Sequence, residues 1–228
     1  MALTDVAIEK IKAMILDGRL KPGDKLPREA DLAEQLGISR SPLREAVSVL
    51  SMLRVLDVRR GDGTYVTSLS PDLLLETMGF IIDFHQDSSI LDLFELRRAL
   101  EPMAAEKAAL LMSDEDAGQL LALTEAVDAD SPVGDVVAND LEFHHRIAAA
   151  AGNPVLCSFV DSVAGRTHRA RIWRGVTQED SFGQTQREHR AIALAIGDRQ
   201  PSVAAALSLA HVAGIENWIR RNLSDPGH

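Results

Sequence analysis

The sequence has little cysteine, few aromatic residues and no long apolar run. Cys157 is the single cysteine among 228 residues, which excludes an intrachain disulfide and favours a reducing compartment. No apolar segment approaches the ~18–20 residues that a membrane-spanning helix needs. The first residues also lack the basic-then-apolar order of a signal peptide. These absences predict a cytoplasmic protein that does not enter the membrane.

The composition predicts a folded protein with two functionally different parts. Hydrophobic residues make up 46% and charged residues 25%, which is close to the average for globular proteins and excludes wholesale disorder. The net charge of −10 is unevenly distributed. Residues 1–68 hold 11 Lys and Arg against 10 Asp and Glu, whereas the other 160 residues hold 13 against 24. The acidity therefore belongs to the C-terminal part, and a local basic patch lies in the N-terminal part.

Residues 28–53 have the pattern of a helix-turn-helix. A short amphipathic segment ends at Gly37, as expected for a helix with a C-terminal glycine. Ser41 followed by Pro42 then predicts an N-cap with proline at the first position of a second helix. The N-terminal residues of such a second helix read the DNA major groove. The candidate DNA-contacting residues at this helix end are Ser39, Arg40, Ser41 and Arg44.

A strand, a tight turn and a second strand follow the helix-turn-helix. The turn contains Gly61, Asp62 and Gly63, and apolar and β-branched residues flank it. This hairpin predicts the wing of a winged helix, with Arg59 and Arg60 placed to meet the DNA backbone or minor groove. A single surface arginine is more often only solvated, but the ordered combination of helices and hairpin favours DNA binding.

From residue 72 onward the sequence predicts only helices. Ser113 fits an N-cap, and the segments around Gly152 and Gly197 break the helical pattern. We predict a mainly α protein, with a winged helix-turn-helix domain over residues 1–68, a linker over 69–75 and an antiparallel helical bundle over 76–228 that binds effector and dimerises. The predicted helical spans are 72–87, 90–111, 114–129, 134–151, 154–173, 179–197 and 201–223.

Histidines are the chemically informative residues of this second part. Asp140 and His144 are four residues apart and therefore project from one helix face, whereas His145 is rotated away. His189 and His211 lie on separate predicted helices among apolar neighbours. Three imidazoles and a carboxylate that converge inside a bundle would form a divalent-metal site. A lone histidine on an apolar face is usually a core residue, so the pattern alone leaves both interpretations open. His85, His145 and His168 are interpreted as surface or structural residues.

The N-terminal part resembles the DNA-binding domain of GntR-family transcription regulators. The resemblance lies in the segments Leu26–Ala46 and Arg59–Val66. The family usually has glycine where this chain has Arg54, and a non-glycine residue in a left-handed turn costs on the order of 1 kcal/mol. The resemblance implies operator contacts at Arg28, Arg40, Ser41, Arg44 and Gly63.

The C-terminal part resembles the FadR-type effector domain, called FCD. The resemblance lies in Phe94–Glu101, Asp140–His144, Gly152–Leu156, Glu188–Ile192 and His211. Many members hold a metal with one aspartate and three histidines, and members that bind acyl-CoA thioesters lack these ligands. The resemblance implies a divalent metal, with zinc as the first candidate and nickel and manganese left open, held by Asp140, His144, His189 and His211.

A carboxylate effector would need a cationic partner beside the metal. Arg97 is the first candidate, because the family places this residue near the effector cavity. Arg169, Arg171 and Arg174 are weaker candidates, since a cluster of arginines is often only a solvated face.

These features predict a ligand-responsive, DNA-binding repressor that acts as a homodimer on a double-stranded operator. Its effector would be a small carboxylate such as a sugar acid or hydroxy acid. One alternative is a metalloregulator, for which the metal itself is the signal. Another is a metal-dependent hydrolase or lyase. We predict that the chain is not an enzyme, because no nucleophile elbow, phosphate loop or His-Glu-x-x-His arrangement is present.

Overall fold

The structure is a computed structural model that describes residues 2–70, 89–178 and 181–223. The chain divides into two compact units, Met1–Met78 and Gly79–His228. His85, the predicted helix over 72–87 and most of the predicted linker lie outside the described residues, so the domain boundaries stay a prediction. None of the described helices has both the length and the apolar content needed to cross a bilayer.

The first unit is a winged helix-turn-helix, as predicted. Its elements are α1 (Leu3–Leu16), α2 (Glu29–Leu36), α3 (Arg40–Met52), β1 (Leu56–Arg59) and β2 (Gly63–Val66). The two strands pair antiparallel, with Leu56 opposite Val66 and Arg59 opposite Gly63. Ile11, Leu32 and Leu43 are buried in a core that the three helices and the hairpin share. This unit therefore has its own hydrophobic core.

The turn between α2 and α3 follows the prediction at one end and departs from it at the other. Gly37 ends α2 in the left-handed conformation, with φ of 62°, which confirms its predicted role. The N-cap of α3 is Ser39 and not Ser41, so the predicted start was two residues too late. Pro42 is the third helical residue, where an N–H group would have no intrahelical partner in any case.

The turn that leaves α3 contains a left-handed arginine. Arg54 has φ of 58°, so this non-glycine residue has the left-handed conformation for which a cost of about 1 kcal/mol is expected. The Thr67 hydroxyl donates a 2.7 Å hydrogen bond to the Arg54 carbonyl. This hydrogen bond joins the end of the wing to the turn that follows α3.

The second unit is an all-α bundle, as predicted. Its helices are α4 (Ser89–Leu111), α5 (Asp114–Leu123), α6 (Val133–Ala150), α7 (Pro154–Thr177), α8 (Ser181–Gly197) and α9 (Pro201–Leu223). Helix α4 packs along α9 and also contacts α6 and α7, while α6 packs against α7. The core includes Ala104, Ala105, Ala108 and Ala109 of α4, whose small side chains allow neighbouring helices to approach closely.

Helix α5 is shorter than predicted. Ser113 caps its start and accepts a 3.1 Å hydrogen bond from the Asp116 N–H, as predicted. The helix ends at Leu123, so the predicted span 114–129 was six residues too long. The Thr124 hydroxyl donates to the Leu121 carbonyl, and the side-chain amide of Asn139 on α6 donates to the Leu123 carbonyl at 3.0 Å. These bonds satisfy carbonyls that a longer helix would have used.

Replacing Asn153 with alanine is expected to lower the free energy of unfolding by about 1 kcal/mol. The Asn153 side chain accepts hydrogen bonds from the N–H groups of Val155 and Leu156, at 3.1 and 3.2 Å, and so caps α7. Chemical denaturation of both proteins measures the difference. Asn153→Asp keeps the acceptor and should stay close to the wild type; equal losses in both variants would contradict a capping role.

Candidate metal centre and nucleic-acid interface

The predicted groove-reading residues share one exposed end of α3. Ser39, Arg40, Ser41 and Arg44 are all exposed, and so is Arg28, which caps the start of α2. The Ser39 side chain makes no capping hydrogen bond. The first N–H groups of α3 and this hydroxyl can therefore donate hydrogen bonds at a helix N-terminus, which is where phosphate oxygens bind.

Arg44 is paired with an acidic residue of the preceding helix. Its guanidinium Nη2 lies 2.9 Å from Glu29 Oε1, and the two side chains are 75% and 40% exposed. An exposed ion pair of this kind contributes only ~0.2–1 kcal/mol. The ion pair therefore orients Arg44 but is weak enough to be replaced by the predicted contact with a DNA base.

The variant Glu29→Gln is expected to bind operator DNA roughly two- to fivefold more tightly than the wild type. In the variant, Arg44 does not have to break an ion pair with Glu29 before it makes its predicted DNA contact. Fluorescence anisotropy with a labelled operator at fixed salt measures the change. Glu34→Gln, an exposed change on the same helix, serves as the control. If Glu29→Gln weakens binding, Glu29 supports the complex and does not compete with it.

The wing carries cationic side chains around one tyrosine ring. The Arg59 guanidinium lies 4.3 Å from the centroid of the Tyr65 ring, and the Tyr65 hydroxyl donates to Asp62 Oδ2 at 2.9 Å. Lys25 Nζ lies 3.0 Å from Asp62 Oδ1. Gly63 has φ of 150°, and a Cβ there would come within 2.5 Å of the Lys25 side chain. Arg59 and Arg60 are exposed, as predicted. Sequence analysis missed Lys25, because only the folded structure brings this residue next to the wing.

The predicted metal-ligating residues converge in the second unit. Asp140 and His144 lie one turn apart on α6, His189 lies on α8 and His211 on α9. The three histidines are buried, and their ligand atoms lie within 4.8 Å of one another. The Nε2 atoms of His189 and His211 are 3.3 Å apart, and Asp140 Oδ1 is 3.9 Å from Nε2 of His144 and of His189. The three imidazoles thus form one cluster, and the Asp140 carboxylate lies beside two of them.

Two carboxylates fix how the imidazoles are oriented. His144 Nδ1 lies 3.1 Å from Glu101 Oε2, and His211 Nδ1 lies 2.8 Å from Glu188 Oε2. A carboxylate only accepts, so each Nδ1–H donates and each Nε2 lone pair is directed at the cluster. Histidine ligands of metals are commonly held in this way. Both of these lone pairs can serve as ligands of a cation, so the donor set fits a divalent ion.

The charge states of the cluster also suit a cation. Burial lowers the pKa of His189 well below its ordinary value, and burial outweighs the neighbouring Glu188 in lowering the pKa of His211. Both imidazoles are therefore neutral, as metal ligands must be. Burial alone would raise the pKa of Asp140, but the Arg171 guanidinium and the nearby histidines bring that pKa below its ordinary value. Asp140 is therefore an ionised carboxylate.

Arg97 contacts the cluster from α4. Its side chain is buried, its Nε lies 2.5 Å from Glu101 Oε1, and its Nη2 lies 3.3 Å from His144 Nε2. Sequence analysis missed Glu101 and Glu188. The signal for Glu101 was its i,i+4 spacing from Arg97 on an otherwise apolar face, and the signal for Glu188 was its position next to His189.

A cavity of about 200 Å³ adjoins Asp140. Arg171 and Arg174 line it, and Arg171 is ion-paired with Asp140. The buried Nε of Arg171 has no hydrogen-bond partner among the described residues. Arg97 and Arg169 do not line this cavity. Its volume is below the ~300–1,000 Å³ of pockets for drug-sized ligands, so it suits a small metabolite. The apolar part of the wall comprises Ala129, Val133, Val136, Val137, Ile172, Phe182 and Ile215.

Comparisons with known proteins match both units. The family model of the bacterial regulatory proteins, gntR family, matches residues 3–66, and the FCD domain model matches residues 92–214. The HTH-type transcriptional regulator LutR of Bacillus subtilis is 30% identical over 212 residues, which cover 90% of this chain and 95% of that protein. The galactonate operon transcriptional repressor of Escherichia coli is 27% identical, with coverage of 92% and 93%. The solved structure of Streptococcus agalactiae GntR has 30% identity and a TM-score of 0.74, and the match covers 94% of this chain and 99% of that one.

Proposed function

Since the chain belongs to the GntR family of bacterial transcription regulators and carries an FCD domain, we propose that it represses transcription until a small carboxylate binds beside a metal centre in its helical unit. The GntR domain implies DNA binding, and the FCD domain implies a small-molecule effector. The family consists of transcription regulators, which confirms the prediction that the chain is not an enzyme.

The proposed metal ligands are Asp140, His144, His189 and His211. The observation that carries this proposal is the convergence of three buried imidazoles and an ionised carboxylate, with Glu101 and Glu188 behind two of the rings. Zinc is the first candidate, and nickel and manganese have compatible ligand preferences. A bound divalent ion would supply open coordination positions for oxygen ligands. The residues around the ion would balance its charge and exclude water from its surroundings.

The proposed effector is a 2-hydroxycarboxylate. The cavity beside Asp140 has an apolar wall and a cationic side, and the Arg171 Nε provides a buried donor for a carboxylate. Arg97, which was predicted to bind the effector, would act through its contact with His144 and not from the cavity wall. The name of one relative refers to galactonate, which is itself a 2-hydroxycarboxylate, and calls that relative a repressor.

The protein is further proposed to act as a homodimer in the bacterial cytoplasm. Helix α4 exposes Leu96, Met103 and Leu110 at intervals of seven residues, which places them on one face. A second copy of the helical unit would cover this face, and two winged domains would bind two half-sites of the operator. Sedimentation at micromolar concentration is expected to give twice the mass of one chain.

The proposed function predicts a specific response to hydroxy acids. With zinc-loaded protein and DNA from the upstream region of its own gene, galactonate or L-lactate is expected to weaken operator binding by roughly 5–150-fold, whereas propionate, which lacks the 2-hydroxyl of lactate, should not. Chelation of the metal should abolish the response. Fluorescence anisotropy measures both effects.

The same titration separates the alternatives. A change of operator affinity with zinc alone, to which no acid adds, would favour the metalloregulator. An affinity that responds neither to metal nor to any acid of a wider panel of sugar acids would exclude the proposed sensing mechanism.

A further inference from the structure

A second group of ligand-type side chains lies outside the buried cluster. His145 follows the proposed ligand His144 on α6 but is exposed, because one residue is a 100° rotation on a helix. Cys157 and Asp161 lie one turn apart on α7, which packs against α6. The ligand atoms of these three residues lie within 4.8 Å of one another. The two helices therefore bring a nitrogen, a sulfur and an oxygen donor together.

The distances within this group are close to those of a metal's ligand shell. His145 Nδ1 lies 2.9 Å from Asp161 Oδ2, Cys157 Sγ lies 3.6 Å from that oxygen, and Sγ lies 3.8 Å from Nδ1. Bonds of ~2.0–2.3 Å to a tetrahedral zinc ion put neighbouring ligands roughly 3.3–3.6 Å apart. All three separations are within about half an ångström of this range. Small side-chain rotations would suffice to place a cation between them.

The chemistry of the donors selects a thiophilic ion. A His–Asp hydrogen bond on a surface, here with side chains 46% and 37% exposed, is common without a metal, but here the Cys157 thiol also donates to the same Asp161 oxygen and lies beside the imidazole. Thiolate, imidazole and carboxylate together are ligands of Zn²⁺ and disfavour Mg²⁺ or Ca²⁺, which prefer oxygen alone. Binding would release the thiol proton to solvent as Sγ bonds to the metal.

We propose that His145, Cys157 and Asp161 form a second cation site for Zn²⁺ or a similar thiophilic divalent ion, on the outer face of α6. The three side chains provide three ligands, and partial exposure leaves a fourth position to water. This site shares no residue with the buried cluster and does not depend on the proposed function.

Cobalt(II) alone is the probe that tests this site, since thiolate coordination gives a sulfur-to-cobalt charge-transfer absorption. Cys157 is the only cysteine of the chain, so this absorption can arise nowhere else, and the aspartate and histidines of the buried cluster cannot produce it. Titration of the reduced full-length protein is expected to give the band with saturation at one thiolate-bound ion per chain. Zn²⁺ should displace the cobalt and abolish the band.

Ligand variants that keep the cysteine decide whether the group acts as one site. His145→Ala and Asp161→Ala are each expected to weaken cobalt binding at least roughly tenfold, because even residues outside the ligand shell are worth ~10–100-fold. Glu142→Ala, which removes a partly buried carboxylate of the same helix that is paired with Arg146, is the matched control and should leave the titration unchanged. Circular dichroism of each variant verifies the helical fold.

A saturable band whose affinity falls at least roughly tenfold in both variants but is unchanged in the control supports the site. Absence of the band, or a band of equal affinity in all the variants, overturns the proposal, because the partly buried thiol then binds metal without its neighbours. Failure of the buried centre would leave the band in place, so the two proposals fail independently.

Discussion

Replacing His189 with alanine is expected to remove the metal ion from the buried centre, so that the metal content falls by close to one equivalent per chain. His189 supplies one of the three converging imidazoles, and its ring stacks on Phe143 with 4.1 Å between centroids. The loss of a buried ring and of a bound ion together should lower the free energy of unfolding by about 3 kcal/mol or more. Elemental analysis after exhaustive dialysis measures the metal, and thermal unfolding measures the stability.

The matched control for this change is His168→Ala. His168 is a partly buried histidine of α7 that lies outside both ligand groups, and its variant should keep the full metal content. His211→Gln provides a second test with a side chain of similar length, in case His189→Ala destabilises the bundle too far. Operator binding without effector should persist in all three variants, because the winged unit has its own core. An unchanged metal content in both cluster variants would remove these residues from the proposed site.

The second large effect is expected at Arg44. Arg44→Ala should weaken operator binding by about 1–3 kcal/mol, or roughly 5–150-fold, and relax selectivity at one base pair, as the loss of a bidentate contact to guanine does. The side chain is exposed at the N-terminal end of α3, and its ion-pair partner among the described residues is Glu29. Anisotropy titrations against the operator and against its single-base variants measure both quantities.

Arg19→Ala is the control for a simple loss of positive charge. Arg19 is exposed and paired with Asp17 in the loop after α1, outside the predicted DNA-contacting set. Its replacement should change affinity little and equally for all sequences. If the two arginine variants weaken binding alike on every operator variant, Arg44 contacts only the DNA backbone or nothing.

The winged unit was predictable because its signals are local. Gly37 marks a left-handed helix end, and the glycines around Asp62 mark the turn of the wing. The error at the start of α3 arose because Ser39 and Ser41 are both good N-caps and a proline fits any position of the first turn. Only the backbone geometry distinguishes them, and it selects Ser39.

The residue pattern of the helical unit alone predicts its helices and one pair of proposed metal ligands. Spacing on one helix indicates Asp140 and His144, whereas only the resemblance to the FCD domain adds His189 and His211, because their approach depends on how α8 and α9 pack. The end of α5 was missed because Asn139 of α6 takes up the Leu123 carbonyl, which is a tertiary contact without a local signal. For the same reason sequence analysis ranked Arg97 above Arg171 and Arg174, the two arginines that line the cavity.

The left-handed conformation of Arg54 determines which substitutions the turn between α3 and the wing tolerates. Glycine would relieve a backbone penalty of about 1 kcal/mol there, while a β-branched residue such as valine or isoleucine would increase it. The hydrogen bond from Thr67 to the Arg54 carbonyl uses only backbone on one side and survives either change. In a library of all substitutions at position 54, stability should therefore depend on whether the side chain is branched at Cβ and not on its charge.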